Sequence, residues 1–175
     1  MRAYEQWADV REEQRMDDFQ SYAYNIAEAR YAMRRVSRIV NEQAKNNDLD
    51  PLLHQALLQI YGTQNGEELA VNGLAERLDV PAAFASRLVS QLEDRELVQR
   101  HTSSRDRRVT LLSLTDVGID RLRKIDDAVH YQVAYFQRQL EPKQRAAALS
   151  IFAFYVGVDA ASPIAEALRA ENSGS

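Results

Sequence analysis

The sequence contains no cysteine, and this absence excludes disulfide bonds, thiolate metal sites and regulation by cysteine oxidation. It has no apolar run as long as a membrane span, and residues 1–15 lack the apolar segment of a signal peptide. We therefore expect a cytoplasmic protein. With 175 residues, 45% of them hydrophobic and 27% charged, the chain can form one globular domain with a sizeable core.

Features of enzymes and metalloproteins are also missing from the sequence. It has no glycine-rich phosphate loop, no nucleophile elbow and no convincing pair of acids. Three histidines lie far apart, without a carboxylate or a second histidine at ligand spacing: His54, His101 and His130. We therefore expect no catalytic residue, no metal and no cofactor, and we predict that the chain is not an enzyme.

Positive charge is concentrated in one segment, although the whole chain carries a formal net charge of −4. Between Val98 and Arg108 there are four arginines and one acid, whereas residues 1–20 contain three basic and six acidic residues. This distribution argues against indiscriminate binding to nucleic acid. It favours a small, positively charged DNA footprint in which phosphate contacts position the protein.

Hydrophobic residues repeat at helical spacing in long stretches at both ends of the chain. The pattern predicts helices from Asp18 to about Asn46, from Pro51 to Tyr61, from Thr115 to the break before Pro142, and from Pro142 to about Val156. Because such long helices cannot bury their apolar stripes within a single chain, they predict a partner. The segment before Asp17 is either an arm that packs on a partner subunit or a frayed end.

The middle of the chain has the outline of a helix-turn-helix followed by a hairpin. Two short helical patterns, NGLAERLDV from Asn72 and PAAFASRLVSQLEDREL from Pro81, are separated by a short turn. Two β-prone stretches follow, at 97–101 and 108–114, and the loop between them carries arginines; Thr115-Asp116 then caps the next helix. This order predicts a winged helix-turn-helix, in which a helix enters the DNA major groove and a hairpin tip reaches the backbone or minor groove.

At these residues the chain resembles a known family. The stretch from Leu74 to Gly118, LAERLDVPAAFASRLVSQLEDRELVQRHTSSRDRRVTLLSLTDVG, is similar to the DNA-binding core of the MarR (multiple antibiotic resistance regulator) transcription factors. The LAERL helix, the SRLVSQLE recognition helix, LVQR, the wing RDRRVTLLSLT and the following glycine occur in the family's order. One departure is Glu96, where the family usually has glycine. It predicts a turn other than a left-handed helix cap, with the wing retained.

The resemblance implies a fold that is mainly α with a small β-hairpin wing, a winged helix-turn-helix with long N- and C-terminal dimerisation helices. We interpret residues 1–175 as a single MarR-like domain. Residues 1–46 and 116–172 would form the dimerisation helices, and residues 50–115 the DNA-binding lobe. The lack of cysteine separates the chain from the peroxide-sensing branch of the family.

Candidate DNA contacts lie on the recognition helix and on the wing. They are Ala82, Ala83, Ser86, Arg87 and Gln91 on the helix, and Arg105, Arg107 and Arg108 on the wing. The resemblance implies that Arg105 is the tip that enters the minor groove and that Asp106 orients an arginine through a bidentate pair. Alternatively, the charged tip serves only solubility, and Arg87 pairs with Glu93 or Asp94 on the same helix.

A small-molecule site is predicted on a tyrosine- and arginine-bearing face of the first long helix. Its residues are Tyr24, Tyr31, Arg34, Arg35 and Arg38, and His54 and Tyr61 of the second helix would line the same cleft. Aromatic rings beside guanidinium groups suit an aromatic carboxylate or an acyl-CoA thioester, and the family resemblance implies such a ligand. The alternative is a solvated face with its tyrosines at a dimer seam.

The leading hypothesis is a homodimeric transcriptional repressor that binds a double-stranded, pseudo-palindromic DNA operator. Two recognition helices about 34 Å apart would meet successive turns of the duplex. A small aromatic acid or its acyl-CoA thioester would release the operator by favouring a dimer with the wrong spacing. The alternative is a helical dimeric protein-interaction module that sequesters a partner and does not bind DNA.

Overall fold

The computed structural model describes residues 19–63, 68–103 and 106–155, except for the side chains of Ser150 and Phe154. The predicted N-terminal arm, the wing-tip Arg105 and the tail after Tyr155 lie outside the described residues. The elements are α1 (Phe19–Asn46), α2 (Pro51–Tyr61), β1 (Leu69–Ala70), α3 (Val71–Leu78), α4 (Ala82–Asp94), β2 (Val98–Thr102), β3 (Thr110–Leu114), α5 (Asp116–Gln139) and α6 (Pro142–Tyr155).

The chain divides into two compact units. One unit contains the described residues up to Val36 together with those from Phe136 onward, and the other is Ser37–Tyr135. The division cuts through α1 and α5, so each long helix contributes to both units. No helix of the described residues is both long enough and apolar enough to cross a membrane.

The Ser37–Tyr135 unit has a continuous apolar core built from the predicted stripes of its helices. On α2, Leu53, Leu57 and Ile60 lie at helical spacing and are buried. Pro51 is the first residue of α2, where its missing N–H costs nothing, and the Asp50 carboxylate accepts the N–H of Leu52 at 2.8 Å. The largest fully buried side chains of the core are Leu49, Leu53, Leu57, Leu74, Val89, Leu92, Leu112 and Ile125.

A three-stranded antiparallel sheet forms the wing, in the order β1-β3-β2. Leu69 pairs with Leu112, so β1 adds a short third strand beside the hairpin. The hairpin strands lie close to their predicted positions, but β3 starts at Thr110 and not at Arg108. The residues just before Thr110 belong to the wing turn and not to the strand, since the N–H of Val109 donates to the carbonyl of Asp106 at 2.9 Å.

The turn after α4 differs from the sequence prediction. Glu96 has φ 57°, so the left-handed helix cap is present although the residue is not glycine. The N–H of Glu96 donates to the carbonyl of Glu93, and the N–H of Leu97 donates to that of Leu92, which is the Schellman arrangement. The prediction of another turn was wrong because burial of Leu97 and these two hydrogen bonds hold the backbone in a conformation that glutamate disfavours.

Replacing this residue by glycine is therefore expected to stabilise the fold. Glu96→Gly should raise the free energy of unfolding by about 0.5–1 kcal/mol, because glycine adopts a positive φ without steric cost. Glu76→Gly is the matched control: Glu76 is an exposed residue inside α3, where glycine should destabilise by about 1 kcal/mol. Urea unfolding of both variants and the parent measures their free energies of unfolding. If Glu96→Gly is less stable than the parent, Glu96 is not strained.

The start of α5 is fastened to this same turn. Thr115 is the N-cap, since its Oγ1 accepts the N–H of Gly118 at 3.0 Å, as the predicted cap requires. The Thr115 hydroxyl donates to the carbonyl of Glu96 at 2.6 Å, and the Thr115 N–H donates to that of Leu97 at 3.1 Å. A Cβ on Gly118 would lie 2.0 Å from the Leu97 oxygen, so only glycine permits this approach.

The other unit packs the first part of α1 with α6 and the end of α5. Its buried apolar residues are Ala29, Phe136, Ala147 and Ile151. The Gln144 side chain donates to the Glu28 carboxylate at 2.8 Å. Within the described residues, one face of α1 forms an apolar groove of about 370 Å³, lined by Phe19, Tyr22, Ala23, Ile26, Ala27, Arg30 and Arg34.

Candidate nucleic-acid interface

Helix α4 buries one side in the core and leaves the other side free. Leu88 and Leu92 are buried and Phe84 is partly buried, all at helical spacing on one side. The predicted contact residues lie on the remaining surface: Ala82, Ala83, Arg87 and Gln91 are exposed, and Ser86 is half-buried. A narrow helix with one face of small and hydrogen-bonding side chains can enter a DNA major groove.

Arg87 has neither of the carboxylate partners considered from the sequence among its described contacts. Its guanidinium carbon lies 5.3 Å from the centre of the Phe84 ring, a cation–π contact one turn back on the same helix. The side chain remains exposed, so its N–H groups are available to a base or a phosphate. Ser90, which the sequence analysis missed, is exposed on the same helix, and only the completed fold shows this.

The wing places its arginines around a turn that Asp106 holds. The Asp106 carboxylate accepts the N–H of Arg108 at 2.9 Å, and the Asp106 N–H donates to the Ser103 hydroxyl at 3.3 Å. Within the described residues, Asp106 therefore orients the wing through the backbone and not through the expected bidentate arginine pair. Arg107 and Arg108 are both exposed, and Arg105 lies outside the described residues.

Arg100 joins the wing to α4. The Arg100 Nε of β2 lies 3.1 Å from the Glu93 carboxylate of α4, and its Nη2 lies 3.4 Å from the Ser90 hydroxyl. Next to it, the His101 Nε2 lies 2.7 Å from the Glu68 carboxylate. Arg100 thus neutralises an acid that would otherwise repel phosphates, and it fixes the hairpin against α4.

The residues of the predicted small-molecule site on α1 make different contacts. Tyr24 lies under the Lys143 ammonium at 5.1 Å, and Tyr31 and Arg35 both contact the Phe136 ring. These three residues are therefore engaged in packing within their own unit. Arg34 instead lines the open groove of α1, and Arg38 forms an exposed pair with Glu42 at 3.7 Å.

The two candidates from α2 differ in exposure. Tyr61 is 51% exposed, whereas His54 is 2% exposed and its two ring nitrogens lack a hydrogen-bond partner among the described residues. His54 is enclosed by the core of the Ser37–Tyr135 unit and does not line an open cleft. Within the described residues, no cluster of histidine, aspartate and glutamate could hold a metal ion.

The buried histidine makes the stability of the protein depend on pH. Burial lowers the pKa of His54 from its ordinary value of 6.5, and the charge of Asp126 opposes that shift only in part. As the pH falls below 6.5, the unfolded chain takes up a proton that the folded chain excludes, so stability is lost on the acid side. Above that pH both states are neutral at this residue, and the contribution does not change.

We expect His54→Leu to remove this acid sensitivity and to stabilise the fold by about 1 kcal/mol at pH 8, because two unsatisfied buried nitrogens disappear. The gain should increase at pH 5.5. His130→Gln, at an exposed histidine of α5, is the control and should leave the pH dependence intact. Unfolding curves at both pH values provide the measurement. If the free energy of unfolding changes equally with pH in His54→Leu and in the parent, the prediction is wrong.

Known proteins provide an independent comparison. Residues 47–109 match the sequence model of the MarR family. A proposed transcriptional regulatory protein for the hcr operon of Thauera aromatica is 30% identical over 107 residues, which cover 61% of this chain and 63% of that protein. The uncharacterised HTH-type transcriptional regulator YdgJ of Bacillus subtilis (strain 168) is 24% identical over 102 residues, covering 58% of this chain and 61% of its own length. The chain thus spans about three fifths of each of these curated relatives, and both are described as transcriptional regulators.

Solved structures show the same fold. MepR of Staphylococcus aureus, a transcription regulator of the multidrug efflux pump MepA, matches with a TM-score of 0.61 and 17% identity, over 79% of this chain and 96% of that one. A MepR–DNA complex matches with a TM-score of 0.59 and 18% identity, over the same shares of the two chains. Residues 47–109 thus match the MarR family in sequence, and the described residues have the winged helix-turn-helix fold of these solved structures.

Proposed function

We propose that this chain is a transcriptional regulator that binds double-stranded DNA as a homodimer and represses from a pseudo-palindromic operator. The observation that carries the proposal is the pairing of a free α4 face with an arginine-bearing wing, joined to each other through Arg100 and Glu93. The helix supplies groups that read base edges, and the wing supplies guanidinium groups for phosphates or the minor groove. The MepR–DNA complex has the same fold, which supports this use of the two elements.

A second copy of the chain is proposed to cover the apolar surface that one copy leaves exposed. Phe19 is 66% exposed, Phe152 is 52% exposed, and the groove on α1 is apolar over most of its length. On α5, Tyr131 and Tyr135 are 73% and 59% exposed one turn apart. Exposed aromatic residues on long helices are typical of subunit interfaces. A two-fold dimer would then present two recognition helices to successive major grooves.

The effector is proposed to be a small aromatic acid or its acyl-CoA thioester, bound where the groove of α1 meets a second copy. The groove combines the rings of Phe19 and Tyr22 with the guanidinium groups of Arg30 and Arg34. This combination suits an aromatic ring that carries an anionic group. Binding would release DNA if the occupied dimer holds its lobes at another spacing.

The direct test is selection of bound duplexes from a random-sequence pool by the purified protein at low salt. We expect enrichment of an inverted repeat, with a dissociation constant that rises steeply with salt concentration. Sedimentation velocity should give a dimer of the 20.0 kDa chain. A panel of aromatic acids and their CoA thioesters, added to the selected complex, tests the effector. Failure to retain any duplex at low salt would contradict DNA binding and leave the protein-interaction module as the better explanation.

A further inference from the structure

Two arginines from distant parts of the chain bind the backbone of one turn. The turn is Asn47-Asp48, directly after α1. The Arg95 Nη1 donates to the carbonyl of Asp48 at 2.8 Å, and the Arg121 Nη1 donates to the carbonyl of Asn47 at 2.7 Å. All four residues belong to the Ser37–Tyr135 unit. Arg95 is the C-cap residue of the recognition helix α4, and Arg121 lies in the second turn of α5.

The turn requires such donors. Asp48 has φ 55°, and the N–H of Leu49 donates back to the carbonyl of Ala44, so α1 ends in a Schellman arrangement. The carbonyls beyond it have no partner in the helix, and the C-terminal end of a helix carries partial negative charge. Two guanidinium groups satisfy these carbonyls and match that charge. Asp48 itself brings a carboxylate to the wrong end of the dipole, which increases the need for positive charge there.

We propose that Arg95 and Arg121 are positioning residues that set the direction of the recognition helix relative to the end of α1 and the start of α5. The inference rests on the proposed DNA-binding function. Both contacts are short and charge-assisted, and the planar guanidinium fixes direction better than an ammonium group does. Because Arg95 is the C-cap residue of α4, a rotation of α4 moves this side chain directly. In a homodimer a misdirected α4 occurs in both copies, so neither recognition helix would match its half-site of the operator.

This role predicts a DNA effect without DNA contact. Arg95→Gln should weaken binding to the selected duplex about tenfold, because it removes one charge-assisted hydrogen bond that holds α4. Its salt dependence should equal that of the parent, since every group that touches a phosphate is still present. The variant should also discriminate less against duplexes whose half-sites are one base pair closer or farther apart. A reduced salt slope, or an unchanged preference for spacing, would overturn the proposal.

A distance measurement tests the placement itself and does not need DNA. The chain has no cysteine, so spin labels can be attached at Lys45→Cys in the last turn of α1 and Gln91→Cys in α4. Labelled protein is mixed with excess unlabelled protein, so that each dimer carries one labelled copy, and the label–label distance is measured by pulsed EPR. We expect a single narrow distance distribution in the parent and a broader or shifted one in Arg95→Gln and Arg121→Gln. An unchanged distribution in both variants would overturn the proposal.

Matched variants separate positioning from general loss of structure. Arg77→Gln removes another exposed arginine whose Nη1 donates to the Gln59 side chain at 3.2 Å, joining α3 to α2, and should leave the distribution unchanged. Arg121→Lys keeps the charge and one donor at a half-buried site, so it should restore part of the narrow distribution. If Arg77→Gln broadens the distribution as much as Arg95→Gln, the effect is not specific and the proposal fails. If no duplex binds to the parent, the proposed function fails, and the distance distributions still decide the placement of α4.

Discussion

Gly118→Ala is expected to lower the free energy of unfolding by about 3–4 kcal/mol, because the new Cβ forces two backbone segments apart. A Cβ 2.0 Å from the Leu97 oxygen cannot be relieved by side-chain rotation. The start of α5 must shift, and both Thr115 hydrogen bonds to the carbonyls of Glu96 and Leu97 then lengthen or break. For a chain of this size the midpoint of thermal unfolding should fall by about 10 °C.

Gly73→Ala is the matched control for this prediction. Its Cβ would meet the Leu69 Cδ1 at 2.9 Å, which is the end of a flexible side chain and can move. Gly73 also lies inside α3, where alanine favours the helix by about 1 kcal/mol. We therefore expect Gly73→Ala to remain within about 1 kcal/mol of the parent. Urea unfolding of both variants decides the matter, and equal stability of Gly118→Ala and the parent would refute the close approach of α5 to the turn after α4.

Removing two wing arginines should greatly weaken DNA binding. Arg107→Gln combined with Arg108→Gln takes two exposed guanidinium groups from each copy, so a homodimer lacks four groups that could bind phosphates or bases. At about 1 kcal/mol for each of the four groups, the affinity for the selected duplex should fall by about 1,000-fold. The slope of the logarithm of the affinity against the logarithm of salt concentration should become shallower by about 0.9 for each phosphate that the variant no longer neutralises.

The control for the wing variant loses the same number of positive charges, but from residues outside the wing. Arg38→Gln combined with Arg123→Gln removes two exposed arginines whose partners, Glu42 and Asp120, lie on their own helices. We expect this variant to bind within about threefold of the parent, since long-range charge is screened at physiological salt. Fluorescence anisotropy across a salt series measures both properties. Equal weakening in the two variants would show that net charge, and not the wing, determines affinity.

The order of elements and the apolar core were predictable because both depend on residues that are close together in the sequence. The spacing of Leu53, Leu57 and Ile60 predicts the buried face of α2, and Thr115 predicts the start of α5, since caps and periodicity involve residues close in sequence. The two short helices and the two β-prone stretches after them predicted the wing, the family resemblance from Leu74 to Gly118 agreed with that prediction, and the fold confirmed it.

Contacts between distant residues were not predictable in the same way. Helical spacing predicted the tyrosine and arginine face of α1, but it did not predict that Tyr31 and Arg35 contact Phe136 or that Tyr24 contacts Lys143. The helical period identifies which residues share a face. It does not identify what covers that face, because the partner comes from another part of the chain.

The sequence by itself determined the helices, the turn residues and the concentration of arginines on one hairpin, since each depends on neighbours within a few positions. Only the tertiary structure decided that Glu96 adopts a left-handed conformation, that Gly118 must have no side chain, and that Arg95 and Arg121 bind the turn after α1. In each case the determining partner is a backbone carbonyl or a buried surface. Backbone carbonyls are the same at every residue, so the sequence carries no mark of which one a distant side chain will bind.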